Sequence, residues 1–93
     1  MKVTVKFLGA LRDQVGAAAL PVELPAGATY RDVLDAITPT VAGRLPVWAW
    51  DPSRGAFSRR MLVSLNGGGS LTDETATLED GDEIVVVLPL GGG

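Results

Sequence analysis

The chain has 93 residues, 46% of them hydrophobic and 20% charged, and eight Lys and Arg stand against eleven Asp and Glu. That length holds one domain with a single core, and a net charge of −3 without a basic stripe argues against nucleic acid as a partner. The absence of cysteine and histidine excludes disulfides, thiolate chemistry, Cys or His metal ligation and every catalytic triad or general acid built on histidine.

Lys2 to Leu8 alternates, with Val3, Val5 and Phe7 on one face and Lys2, Thr4 and Lys6 on the other, which predicts a half-buried strand. The opening starts this strand at once, with no signal-peptide core. No apolar run approaches the roughly 18 residues of a membrane span, so a soluble cytoplasmic protein is expected. Leu11 and Val15, four apart, suit a short helical turn or a packed loop. Leu20, Val22 and Leu24 alternate again and end at Pro25-Ala26-Gly27, a turn. The two strands are expected to form an antiparallel hairpin.

Thr29 reads as a helix N-cap, with Asp32 as its capping-box partner. Tyr30, Val33, Leu34 and Ile37 share one helical face, and Pro39 is expected to close the helix. Residues 40–60 have weak periodicity and read as an irregular stretch with a helical turn around Val41 to Leu45. Within it, Trp48 and Trp50 suit a short strand or a lid on the core. Arg59-Arg60, the sole adjacent basic pair, reads as a solvated loop edge.

Met61 to Leu65 predicts a strand whose apolar residues Met61, Val63 and Leu65 either fill the core or present a docking face. Asn66-Gly67-Gly68-Gly69 is a turn and not a phosphate loop, because no Lys-Ser/Thr and helix follow. Thr72 to Thr77 is short and polar, and Glu79-Asp80-Gly81-Asp82 is a turn. Glu83 to Leu88 is apolar on both faces and belongs in the middle of a sheet. A hairpin, a helical crossover and returning strands predict an α+β fold, a mixed sheet packed on one main helix. A right-handed crossover would set the last strand parallel to the first.

Pro89 cannot donate to a ladder and ends that strand. Leu90-Gly91-Gly92-Gly93 then completes the sequence. Extended from Leu88, this segment could reach roughly 20 Å, and its glycines carry no side chains to obstruct a narrow channel. Residues 1–90 are therefore expected to form the domain and 91–93 a flexible glycine tail, whose terminal carboxylate another protein could receive.

The run from Leu78 through Glu79-Asp80-Gly81-Asp82-Glu83, the apolar strand, Pro89 and Gly91-Gly92-Gly93 resembles the C-terminus of the MoaD/ThiS family of ubiquitin-like sulfur carriers. The opening Val3 to Asp13, with Phe7, Leu8, Leu11 and Arg12, is similar to the family's first strand and the segment after it. The resemblance implies a β-grasp, ubiquitin-like fold and a carrier protein, not an enzyme, at most the small sulfur-donating subunit of molybdopterin synthase. It implies that a ubiquitin-activating-enzyme-like adenylyltransferase adenylates Gly93 with ATP, and that a persulfide donor converts the adenylate to a thiocarboxylate. No bound cofactor or metal is implied. Gly91 and Gly92 would thread a partner's channel, and Leu88, Pro89 and Leu90 would dock on it. The acceptor would be an enzyme such as the molybdopterin synthase large subunit. Carriers for cysteine, thiamine or another metabolite, and ubiquitin-like modifiers, are the alternatives. One proline fewer than the usual molybdopterin-type tail leaves the pathway open.

Overall fold

The computed structural model describes residues 1–89. Its elements are β1 (Lys2–Phe7), α1 (Ala10–Val15), β2 (Ala19–Glu23), α2 (Tyr30–Val41), β3 (Trp50–Asp51), β4 (Ala56–Phe57), β5 (Leu62–Leu65) and β6 (Glu83–Val87). Four strands form one sheet in the order β2-β1-β6-β5, and β3 and β4 form a separate hairpin. β1 runs antiparallel to β2 and parallel to β6, while β5 runs antiparallel to β6. This is the β-grasp architecture, with the last strand beside and parallel to the first.

Alternation decides which face of each strand is covered. Val3, Val5 and Phe7 of β1, Ile84 and Val86 of β6 and Val63 of β5 are buried against Val33, Leu34, Ile37 and Val41 of α2. Leu11 and Val15 make α1 a one-turn plug of the same core. α1 stops at Gly16, whose φ of 86° is left-handed and whose N–H donates to the Arg12 carbonyl.

The capping box of α2 is complete. The Asp32 amide donates to Thr29 Oγ1, and the Thr29 amide donates to the Asp32 carboxylate at 2.8 Å. Pro39 does not close the helix, which continues to Val41. A proline offers no N–H to the carbonyl four residues back, here Asp35. Both residues lie on the exposed side of the helix, away from the core. Bonds from Ala42 N–H to Thr38 O and from Leu45 N–H to Val41 O carry the chain into the next turn.

The stretch expected to be irregular holds the β3–β4 hairpin. Its turn is set by Asp51, whose carboxylate accepts from the Ser53 hydroxyl at 2.7 Å and amide at 3.0 Å. These bonds hold the Asp51 carboxyl below its ordinary range. Trp50 is not a lid. It is 1% exposed and meets Phe57 edge-to-face at 5.1 Å, and Phe57 in turn meets Phe7 at 6.3 Å. The hairpin thus supplies two of the largest core side chains in a protein with few aromatics. Arg31 ties it down, donating to the carbonyls of Arg54 and Gly55 and pairing with Asp35 and Glu74.

Candidate functional site

The candidate site is the end of the sheet where the chain leaves β6, and its position is fixed from the opposite end. There, the Asp80 carboxylate accepts from the Lys2 amide at 2.7 Å, and the Gly81 amide donates to the Lys2 carbonyl at 2.8 Å. Gly81 has φ 88°, a left-handed conformation that side chains disfavour. Asp82 accepts from the Glu79 amide and from Asn66 Nδ2, and Asn66 Oδ1 accepts from the Glu83 amide. The Asp-Gly-Asp turn therefore locks β6 in register with β1 on one side and with the end of β5 on the other. That register decides where Val87 ends the strand and where Leu88 begins its exit.

At the exit, Leu62 stands opposite Val87 across the β5–β6 ladder. Leu8, one residue past the Phe7↔Val86 pair, lies on the other side, with its N–H donating to the Val86 carbonyl. Thr4 and Lys6 are outward positions of β1, and Leu8, just past its end, follows in the same phase, so the outer face changes from polar to apolar as it approaches the exit. Leu8 and Leu62 are each 49% exposed, and they stand on either side of Val87 at the end of the sheet. A groove of about 120 Å³, lined by Leu8, Leu11, Trp48, Val87 and Leu88, lies at the root itself. The Ser58 hydroxyl donates to the Trp48 carbonyl and steadies this wall.

The predicted site residues divide between what is described and what is not. Leu88 is half-buried against the core, and Pro89 is exposed. Leu90, Gly91, Gly92 and Gly93 lie outside the described residues. Met61 and Val63 face inward and are core, whereas Leu65 is half-buried. The apolar β5 residue that faces outward is Leu62, with Ser64 on the same face. Leu8, Leu62 and Val87 are the members of the site that sequence reasoning missed. A signal existed for Leu8, which is apolar at the outward phase of an otherwise polar face. Among the described residues no group of acidic, histidine or cysteine side chains could hold a metal ion, and no helix is long and apolar enough to cross a membrane.

Comparison with known proteins agrees with this geometry. Small archaeal modifier protein 1 (SAMP1) from Haloferax volcanii superposes with a TM-score of 0.77 at 21% identity, over 100% of both chains. A Pyrococcus furiosus protein assigned as subunit 1 of molybdopterin converting factor gives 0.68 at 27% identity, covering 97% of this chain and 99% of that one. The complex of subunits 1 and 2 of molybdopterin-converting factor from Helicobacter pylori contains a chain matched at 0.58 and 18% identity, over 100% of both. The profile of the ThiS family matches residues 5–93, nearly the whole sequence and its terminal glycines included. This chain belongs to the ThiS family of small ubiquitin-like sulfur carriers.

Proposed function

We propose that this chain is a cytoplasmic carrier that bears sulfur as a thiocarboxylate on Gly93 and donates it in molybdopterin biosynthesis. The observation that carries the reading is the family match running through Gly93, joined to a root locked by the Asp-Gly-Asp turn and ringed by exposed apolar side chains. The molybdopterin assignment draws on the 27% identical Pyrococcus furiosus protein and on the Helicobacter pylori complex of two converting-factor subunits.

In this reading the Gly93 carboxylate attacks the α-phosphorus of ATP on a ubiquitin-activating-enzyme-like adenylyltransferase, and pyrophosphate leaves. The terminal sulfur of a persulfide donor then attacks the acyl carbon and expels AMP. A thiol that cleaves the resulting S–S bond frees the thiocarboxylate. The carrier contributes no acid or base to these steps, in keeping with a sequence without histidine or cysteine. Its part is presentation. The Leu8–Val87–Leu62 platform, with Leu88, Pro89 and Leu90, docks the body, and Gly91-Gly92 enter the partner's channel at high effective concentration. The acceptor is an enzyme of the molybdopterin synthase large-subunit kind.

Intact-mass measurement after incubation with a cognate activating enzyme, ATP and a persulfide donor tests the reading. The expected product is heavier by one sulfur in place of one oxygen. An unchanged mass, with no ATP–pyrophosphate exchange, would overturn it. The likeness to SAMP1 favours a second reading, attachment of Gly93 to lysines of target proteins. Isopeptide adducts in cells, at levels that depend on Gly93, would support it.

A further inference from the structure

A second, larger groove of about 460 Å³ opens where α2, the β3–β4 hairpin and β5 meet. Its floor is apolar, built from buried side chains of Leu34, Phe57, Met61, Val63 and Leu71. One wall is a strand edge. β5 is the last strand of its sheet and gives one side to β6. On its other side the 68–71 segment covers the end of the strand at the Ser64↔Ser70 bridge: the Leu71 amide donates to the Val63 carbonyl at 2.7 Å, the Leu65 amide to the Gly69 carbonyl at 3.4 Å, and the Gly68 amide to the Leu65 carbonyl at 2.9 Å. The Val63 N–H, on that same side, has no backbone acceptor among the described residues. The edge is therefore open only at the start of β5, and a free N–H there beside an apolar trough suits an extended chain, whose backbone takes that N–H while alternate side chains enter the trough.

Charge selects the kind of chain. The protein is acidic overall, yet Arg54 and Arg59 line this groove and the exposed Arg60 follows. Glu74, the acid among the lining residues, is engaged by Arg31 at 3.1 Å. Arg54 comes within 3.9 Å of Asp51, whereas Arg59 and Arg60 make no ion pair among the described residues. The rim is thus a basic margin on an acidic protein, and it complements carboxylates. Leu62 lines the groove and pairs with Val87, so a bound chain lies beside the exit of the C-terminal segment.

We propose that this groove docks an extended segment of a partner protein, apolar at alternate residues and acidic at its flank, which pairs with the free Val63 N–H at the start of β5. The inference rests on the carrier reading only in taking that partner to be one that meets the tail. The binding itself involves no sulfur chemistry.

Random linear peptides displayed on phage can be selected against the immobilised full-length protein, and the enriched sequences synthesised and titrated. Alternating apolar residues flanked by Asp or Glu should be enriched, and their binding should shift the Val63 and Leu71 amide resonances. Affinity should fall at least tenfold in an Arg54→Glu/Arg59→Glu variant, and also in the milder Arg54→Gln/Arg59→Gln variant should the first fail to fold. The proposal is overturned if nothing is enriched, if the peptides bind the variants equally well, or if the shifts fall on Lys6 and Val85 of the outer sheet face. A dimer in sedimentation that the variants dissolve would give the groove to a second copy instead. The same shifts with acetate alone would reduce it to an anion site. Intact-mass assays separate the two ideas. A wild-type protein that binds peptide but never gains sulfur keeps the groove and loses the carrier reading, and one that gains sulfur but binds no peptide does the reverse.

Discussion

The two faces of the central sheet are made by the same strands and do opposite work. Toward α2, Val3, Val5, Phe7, Ile84 and Val86 are all at most 1% exposed. On the other face, one residue out of phase, Thr4, Lys6, Val85, Val87, Leu62 and Ser64 are half-buried or exposed. The inner face carries the stability, because each of its side chains is enclosed and removing one leaves a void or a stranded group. The outer face has little to lose on substitution and is free to carry recognition. One residue of register separates the two, which is why the Asp-Gly-Asp turn that fixes register is as consequential as the core itself.

The sharpest way to break this contrast is a charge on the inner face. Val86→Asp, or Val5→Asp, would bury a carboxylate without a partner at a cost of several kcal/mol, comparable to the total stability of a domain this size. Both variants should be unfolded by circular dichroism, and a cooperative melt in either would mean that the inner face is misassigned. Next in size is Phe57→Ala. Phe57 touches both Trp50 and Phe7, so truncation should cost about 3–4 kcal/mol. A loss below about 1 kcal/mol in urea denaturation would show that the β3–β4 hairpin is an appendage and not part of the core.

Gly81→Ala probes the register lock without touching packing. A Cβ there meets no atom within 4 Å, so the penalty is the left-handed φ of 88° alone, about 1–2 kcal/mol. Its β1 and β6 amides should remain protected from exchange. If the loss is within experimental error, the turn can relax and does not set the position of the exit.

The core sheet and α2 were legible because their signals are local and periodic. Val3, Val5 and Phe7 alternate, Thr29 and Asp32 mark a helix start, and the apolar run from Ile84 to Val87 requires neighbours on both edges, which β1 and β5 supply. The β3–β4 hairpin was not legible, because two-residue strands are too short for alternation to register. Its stability comes from contacts distant in sequence, namely Trp50 and Phe57 with Phe7 and the reach of Arg31 to the Arg54 and Gly55 carbonyls. Pro39 misled for a related reason: on the exposed side of a helix's last turn it removes one backbone bond, and the packing of Ile37 and Val41 carries the helix past it. In the site, the glycines and the Asp-Gly-Asp turn could be read from residue type, whereas the platform of Leu8, Val87 and Leu62 arises only when strands distant in sequence are placed side by side.

The smallest expected effects on stability lie on the outer face, and they matter because they isolate recognition. Lys6 reaches Glu83 at 3.2 Å, but both side chains are more than two-fifths exposed, so water and salt screen the pair. Lys6→Ala should therefore fall within about 0.5 kcal/mol of wild type. Leu62→Glu stands in the same class for folding, since a side chain already half in water gives up little by becoming charged. It also removes an apolar member of the platform at the exit of β6 and sets a carboxylate opposite Val87. The paired measurement is thermal stability together with calorimetric affinity for the activating enzyme. Lys6→Ala should leave both nearly unchanged, whereas Leu62→Glu should leave stability unchanged and weaken binding at least tenfold, about 1.4 kcal/mol. If Leu62→Glu binds as wild type does, the apolar end of the outer face is not the docking platform. If it unfolds, Leu62 belongs to the core after all, and the division between the two faces fails at the edge strand first.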